Sequence, residues 1–287
     1  MGAATILGKI ENKKKMWRLG FAFAVLALGA SSAFALDPMG PPAAGLAEGQ
    51  LKIGIDYSYS TMDLDLNNGT WIEFLDGALY DAGEAVPFTL KNFKAHRTYA
   101  NIGFGASDRI EAFLRVGGTE GRFGDSIWED NERFEGSDDL AVGGGVKATF
   151  YDDGVLQIGG LFQGSWAEYN GTLDAPQWSS ADRVEIDLTQ FQVALGATYT
   201  WAERFSIYGG PFLHFVSGDL DDTINELSNT TPVGLLTSKY SWDIEEDSVF
   251  GAYAGVQMEL VENCSFNIEF QLTPSADAVG MSLMWRK

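Results

Sequence analysis

The sequence offers few side chains that could perform catalysis. His96 and His214 are the only histidines and Cys264 is the only cysteine, so an intramolecular disulfide and a zinc site built from several cysteines are excluded. The nucleophile motif G-x-S-x-G is absent, as are the motifs that bind phosphate or dinucleotides. A protease of the Asp–His type would need an aspartate two residues before His214, where Phe212 stands. We therefore expect no enzymatic activity, no cofactor and no metal site.

Composition excludes further classes of protein. The 287 residues include 40 Asp and Glu against 19 Lys and Arg, for a net charge of −21, and such a surface repels nucleic-acid phosphates. Aromatic residues make up 13% of the chain, which is too many for a disordered acidic protein. A membrane helix needs an apolar run of about 18 residues, and none follows residue 36.

The N-terminus has the three parts of a secretory signal peptide. The basic residues Lys13, Lys14, Lys15 and Arg18 precede the apolar run Leu19–Ala30 and the A-x-A sequence Ala33-Phe34-Ala35. We therefore assign residues 1–35 as a signal peptide and expect export with cleavage near Ala35. Residues 36–49 are rich in proline and small side chains and are predicted to form an unstructured leader or linker.

The rest of the chain, residues 50–287, alternates between apolar and polar side chains. In Leu51–Ser60 every odd position is apolar or aromatic and every even position is polar or glycine, which is the pattern of a strand with one apolar face. The pattern recurs in Thr98–Gly105, Arg109–Thr119, Leu140–Phe150, Leu156–Trp166, Gln190–Trp201, Phe205–Phe215, Phe250–Leu260, Cys264–Leu272 and Val279–Trp285. Most of these segments have the length of about 9–11 residues that a tilted strand needs to cross a bilayer.

Short and long connections alternate between these segments. The long connections lie at about 63–95, 120–138, 169–187 and 218–247. This arrangement predicts an all-β fold: a single closed antiparallel up-and-down transmembrane β-barrel of ten strands, with eight as the alternative, short periplasmic turns and long extracellular loops. The alternation of the first strand is expected to stop at Met62, where the first loop would begin.

A soluble β-sandwich or a lipocalin-like barrel with its apolar face inward would alternate as well. Two features favour the membrane. The polar face carries glycine, glutamine and opposite charges rather than surface lysine and glutamate, and aromatic residues collect near the strand ends on the apolar face. The aromatic residues form two predicted girdles: Tyr57, Tyr59, Trp166 and Phe215 at one level, and Tyr199, Trp201, Phe205 and Trp285 at the other.

In this pattern, residues 50–287 resemble the small bacterial outer-membrane β-barrels, the class that includes the OmpA-type transmembrane domain and porin-like proteins. The resemblance rests on the strand pattern and not on a specific motif. It implies a location in the outer membrane of a Gram-negative envelope, with outer-membrane lipid and the outer-membrane assembly machinery as partners. Members usually end in an aromatic residue, whereas here Trp285 is followed by Arg286 and Lys287.

The polar face of the strands predicts what lines the barrel. Its charged residues are Lys52, Asp56, Arg109, Glu111, Arg115, Lys147, Glu259 and Glu269. These charges are balanced in sign, so they could pair and fill the lumen, or they could line a narrow polar pore. The many glycines on the same face either leave space for a passage or accommodate large neighbours such as Tyr99 and Tyr208.

Most of the acidic residues fall in the predicted loops, where carboxylates such as Asp63, Asp65 and Asp221 crowd together. A ring of carboxylates at a pore mouth concentrates cations, but carboxylates equally serve solubility or hold divalent ions. Apolar residues of the first loop, among them Trp71 and Phe88, need burial, either by extending the sheet above the membrane or by folding over the mouth.

The predicted function is a porin-like narrow channel with a weak cation preference. The alternative is a non-conducting structural or surface-adhesion barrel with a lumen filled by ion pairs.

Overall fold

The computed structural model describes residues 36–124, 133–174, 182–202, 204–228, 234–245 and 250–287. The signal peptide predicted for residues 1–35 and its cleavage site lie outside the described residues, as do parts of three of the predicted loops. Within the described ranges, no helix is long and apolar enough to cross a membrane.

The described residues form one antiparallel sheet of thirteen strands. In chain order they are β1 (Leu51–Leu75), β2 (Ala78–Glu84), β3 (Phe88–Ser107), β4 (Ile110–Phe123), β5 (Arg133–Gly136), β6 (Asp139–Asp152), β7 (Leu156–Asp174), β8 (Asp182–Ala202), β9 (Phe205–Ser228), β10 (Gly234–Glu245), β11 (Phe250–Val261), β12 (Cys264–Leu272) and β13 (Ala276–Arg286). Alternating β-branched and aromatic side chains favour these strands, because such residues pack well on a pleated surface.

Ten of these strands close into a ring. Its order is β1, β3, β4, β6, β7, β8, β9, β11, β12 and β13, and β13 is hydrogen-bonded back to β1. The predicted closed antiparallel barrel of ten strands is confirmed. Short turns join the strands at one end, where Gly154 and Asn263 adopt left-handed backbone angles, with φ of 85° and 64°. Glycine and asparagine tolerate that conformation best, which is why they occupy these tight turns.

Several strands run well beyond the bilayer-crossing length. β1 has 25 residues and β9 has 24, so most of the connections predicted at 63–95 and 218–247 are strands. The prediction of long loops there is corrected, because their backbone groups are paired with other strands. Leu66, for example, is opposite Ile244 of β10 on one side and Phe88 of β3 on the other.

Above the ten-stranded part, the barrel continues as a ring of eight strands. β10 pairs with both β9 and β1 and takes the place of β11, β12 and β13. β5 lies between β4 and β7 in the place of β6. An eight-stranded ring has an interior just wide enough for side chains to fill it. This extension lies at the end opposite the short turns, which is the extracellular end of such barrels.

The direction of the side chains does not change at Met62. Asp56 and Ser58 face the lumen, and Met62, Leu64 and Leu66 follow on the same face, all buried. The predicted end of the alternation at Met62 is therefore wrong. The geometry of β1 continues, while its two faces exchange their chemistry, because the medium outside the barrel changes from hydrocarbon to water.

The outward face of the ten-stranded part is apolar. Ile53, Leu114 and Leu195 are 59%, 68% and 57% exposed, and many other large hydrophobic side chains of the ring are exposed beside them. A soluble monomer rarely exposes a contiguous apolar surface of this kind, whereas a barrel in a bilayer requires it. The protein is an outer-membrane β-barrel.

Leu66→Ala tests whether the chain above Met62 is a packed strand. Leu66 is fully buried, so its truncation should lower the free energy of unfolding by about 2–5 kcal/mol. Asn67→Ala, on the outward face one residue further, is the control and should change it by less than about 0.5 kcal/mol. Urea unfolding in detergent micelles, followed by tryptophan fluorescence, measures both. A similar small effect of the two substitutions would contradict a packed strand.

Candidate functional site: the barrel lumen

The chain segment before the first strand lies inside the barrel. Leu36 and Met39 are buried in a cluster with inward-facing side chains of the ring, among them Phe113 and Tyr253. The expectation of an unstructured leader at residues 36–49 is therefore corrected. Proline and small residues keep the segment out of the sheet, and the side chains of the lumen supply the hydrogen bonds that its backbone needs.

Four of the predicted lumen charges bind the backbone of this segment, residues 36–47, which we call the lumen segment. Glu111 and Arg115 make one such hydrogen bond each, and Glu269 and Lys147 make two each. The carboxylate of Glu269 accepts hydrogen bonds from the backbone N–H groups of Met39 at 2.9 Å and Gly40 at 2.7 Å. The ammonium of Lys147 donates to the carbonyl oxygens of Met39 at 2.7 Å and Pro41 at 2.8 Å. Both charged groups are buried, so these peptide groups replace the water that each has lost.

Asp37 of the lumen segment forms a buried ion pair with Arg97. Oδ1 of Asp37 lies 3.2 Å from Nη1 of Arg97, and both residues are almost fully buried. Arg97 also donates to Oη of Tyr169, from Nε at 2.9 Å and Nη2 at 2.7 Å, and to Oε1 of Gln190 at 3.1 Å. Sequence reasoning missed this pair. Extending the alternation of β3 by one residue would have indicated Arg97, whereas Asp37 lies in a segment without periodicity.

Glycines on the inner face make room for the lumen segment. A Cβ atom at Gly159 would lie 2.5 Å from Cα of Ala43, and one at Gly280 would lie 2.8 Å from Cγ of Pro38. Both distances are far shorter than ordinary van der Waals contacts. These two glycines thus accommodate the lumen segment and do not line an open passage. At Gly255 a Cβ atom would overlap the ring of Tyr208, so there the glycine accommodates a large neighbour, which was one of the two sequence-based explanations.

Ion pairs join most of the other predicted lumen charges, and they include Glu111 and Arg115. Nε of Arg115 lies 2.8 Å from Oδ2 of Asp56, Lys52 pairs with Glu111, and the half-buried Glu259 pairs with Arg286. Arg109 is the exception. It lies exposed in the turn between β3 and β4, so its assignment to the lumen is corrected. The strand begins one residue later than predicted, and Arg109 consequently lies outside the ring.

The upper lumen contains an apolar core. Its buried members are Met62, Leu64, Leu66, Leu90, Phe93, Ala95, Tyr99, Phe123, Phe134, Ala141, Ala167, Tyr169, Leu173, Val184, Ile186, Leu188, Val216, Leu220, Trp242, Ile244 and Ala276. The rings of Phe93 and Tyr169 meet edge to face with centroids 5.1 Å apart, and those of Phe123 and Phe134 stack at 4.8 Å. The eight-stranded part is thus packed like the interior of a soluble protein.

A polar cavity of about 420 Å³ lies beside the lumen segment. Asp108, Arg204 and Arg286 line it near the short-turn end, and Asp56 and Arg115 line it within the ring. The lower lumen therefore combines buried charges and a polar cavity with a smaller apolar cluster, whereas the upper lumen is filled by the apolar core.

The eight predicted girdle residues occupy outward-facing positions of their strands. At the inner level, Tyr199, Trp201 and Trp285 are exposed. At the outer level, two of the four aromatic residues, Tyr57 and Tyr59, pack against a histidine. Oη of Tyr57 lies 2.9 Å from Nδ1 of His96, and the ring centroid of Tyr59 lies 4.4 Å from that of His96.

Carboxylates line up across the outward face of the extracellular extension. Glu168, Asp187, Asp219 and Asp243 lie directly opposite one another in the registers of β7–β8, β8–β9 and β9–β10. Like charges in such positions destabilise a sheet. Partial burial, together with the charges of Glu168, Glu185, Asp219 and Asp221, raises the pKa of Asp187. We call these four residues the carboxylate row.

Comparisons with known proteins add little beyond the fold. No family model matches this chain, and no curated protein matches it. The chain is similar to the translocator domain of the autotransporter NalP from Neisseria meningitidis, with 11% identity, a TM-score of 0.41, and 84% of this chain and 89% of that chain covered. It is similar to the outer membrane protein OprG from Pseudomonas aeruginosa, with 13% identity and a TM-score of 0.39. That match covers 73% of this chain and 97% of OprG. It is also similar to the outer membrane protease OmpT from Escherichia coli, with 9% identity and a TM-score of 0.36. That match covers 81% of this chain and 94% of OmpT. At these values the comparisons carry no inference about activity, and the membrane location rests on the apolar outward face.

Asp37→Asn tests the buried ion pair of the lumen segment. The substitution leaves the buried guanidinium of Arg97 without its carboxylate, so the free energy of unfolding should fall by about 3–5 kcal/mol. The double variant Asp37→Asn/Arg97→Met should regain part of the loss, because neither charge then remains buried. Glu48→Gln, at the exposed residue directly after the lumen segment, is the control. Urea unfolding measures all of them, and a loss no larger than that of the control would contradict the pair.

Asp187→Asn tests the carboxylate row. Because the pKa of Asp187 is raised in the folded protein, folding favours the protonated carboxyl, and the ionised carboxylate costs stability once the pH rises above its titration range. The substitution should therefore raise the Tm at about pH 7 and lose this advantage at about pH 3, where the wild-type carboxyl is also neutral. Glu84→Gln on β2 makes the same charge change outside the row. An equal rise for both variants at neutral pH would show a general charge effect instead.

Proposed function

We propose that this protein is a non-conducting outer-membrane barrel that presents a rigid, acidic β-structure at the cell surface. The observation that carries this proposal is the double closure of the lumen. The lumen segment occupies the ten-stranded part, and the apolar core fills the eight-stranded part. Ions would have to cross the apolar core, whose members Phe93 and Tyr169 are fully buried.

The extracellular extension supports a role in surface display. Its strands are hydrogen-bonded to neighbours along most of their length, so the extension is held as a sheet rather than as loose loops. The outward positions carry the carboxylate row, and every residue of β2 is exposed. A partner on this surface would be positively charged, by charge complementarity.

A narrow channel with a weak cation preference is the second candidate. The polar cavity at the periplasmic end favours it, because it gives ions a wet entrance below the apolar core. The acidic outer rim would concentrate cations at the other end. This candidate ranks second because conduction would also require the apolar core to open.

We further propose that the barrel is not an enzyme. His214 is fully buried in the lumen wall, which removes it from any substrate at the rim. His96 lies within the outer girdle, next to Tyr57 and Tyr59, where it faces lipid.

Planar-bilayer recording tests the proposal. The full-length protein should give no discrete conductance steps, because both closures are present. A variant that lacks residues 36–47 should also be silent, since the apolar core still fills the upper ring. Heat-modifiable mobility on a gel confirms in each case that the barrel has folded. Steps from the full-length protein would contradict the closed barrel, and steps from the deletion variant alone would show that the lumen segment is the only seal.

A further inference from the structure

A row of outward positions lies directly above the outer girdle on three neighbouring strands. Tyr59, His96 and Glu120 are opposite one another in the registers of β1, β3 and β4, and the next outward row is Thr61, Lys94 and Arg122. On β1 the outward residues change from aromatic at Tyr59 to acidic at Asp63. Aromatic residues mark the membrane interface, so the row with Lys94 and Arg122 lies at the level of the lipid headgroups.

The two basic residues of this row are only partly compensated. Lys94 and Arg122 are directly opposite each other, and like charges in that position destabilise a sheet. Nη2 of Arg122 makes one long contact, 3.4 Å to Oε2 of Glu120, and both side chains are exposed. Glu135 of β5 is opposite Arg122 on its other side, but its carboxylate pairs with Arg133 at 2.6 Å. Lys94 makes no ion pair within the described part of the chain, and Lys91 adds a further exposed positive charge on β3. Two adjacent cations therefore face the headgroup region.

The opposite side of the barrel carries the opposite charge above the outer girdle. There Glu168 of the carboxylate row is the next outward residue above Trp166, and Asp219 lies two outward positions above Phe215. Carboxylates repel phosphate groups, whereas Lys and Arg near a membrane surface attract them. The charge around the barrel thus favours anionic headgroups on the β3–β4 side.

Below the two cations lies an aromatic platform formed by Tyr57, Tyr59 and His96. The hydrogen bond between Tyr57 and His96 and the close ring contact between Tyr59 and His96 hold these three side chains together. Rings with polar edges suit the boundary between acyl chains and headgroups. The platform can therefore pack against the lipid whose headgroup lies above it.

We propose that Lys94 and Arg122 bind the phosphate group of a lipid headgroup in the outer leaflet. Arg122 offers a planar, multiply donating group that matches phosphate oxygens. Lys94 offers a compact charge beside it, and Lys91 increases the positive potential. The barrel thereby holds phosphorylated lipid on one side and repels it on the other.

Native mass spectrometry of the full-length protein in maltoside micelles, which contain no phosphate, tests the proposal. Phosphatidic acid and phosphatidylcholine are the probes, and phosphatidic acid should be retained more strongly. The double variant Lys94→Gln/Arg122→Gln should weaken the retention of phosphatidic acid by about tenfold or more. Arg183→Gln/Lys239→Gln removes the same charge from β8 and β10 and should leave the retention near that of the wild type.

Three results would overturn the proposal. Unchanged retention in the Lys94/Arg122 variant would show that these residues do not bind the lipid. An equal loss in both double variants would show that only the total charge matters. Binding of inorganic phosphate that fully displaces phosphatidic acid at equal concentration would show an anion site that does not need the lipid. Heat-modifiable gel mobility again verifies that each variant has folded.

Discussion

The fixed direction of side chains along a β-strand is the constraint on which this structure depends. Successive residues point alternately inward and outward, so each strand carries one set of positions for the lumen and one for the surroundings. The strands of this barrel pass from hydrocarbon into water without ending. The two sets must therefore exchange their chemistry at one height, which on β1 is Met62. Below that height the inward face carries buried charges beside a smaller apolar cluster, and above it the inward side chains form the apolar core.

The polar lower lumen creates an energetic problem that the lumen segment solves. Buried charges such as Glu269 and Lys147 are costly unless they are fully compensated. The segment compensates them with its own peptide groups and adds Asp37 as the counter-charge of Arg97. The upper lumen has no such need, because apolar side chains fill it directly. The barrel is thus closed twice: in the lower half by the segment that compensates the inward charges, and in the upper half by the apolar side chains that pack against one another.

The parts of this fold that follow from periodicity were predictable from the sequence. The ten ring strands and most of the paired lumen charges, such as Asp56 and Glu111, came from alternation alone. The extension was not predictable in the same way, because an apolar outward face indicates a membrane strand and the outward face of β1 is no longer apolar beyond Met62. The lumen segment has no periodicity, and its contacts, such as Met39 with Glu269, join residues far apart in the chain. Only the three-dimensional structure brings them together.

A spin-label scan along β1 tests the central claim most directly. Single labels at positions 51–67, in a Cys264→Ser background, would be probed with oxygen, which concentrates in lipid, and with a water-soluble nickel complex. We predict that odd positions up to Tyr59 contact oxygen and that odd positions from Asp63 to Asn67 contact nickel. Even positions from Asp56 to Leu66 should be protected from both. Nickel contact at Leu64 and Leu66, or a reversal of the alternation at Met62, would contradict the account.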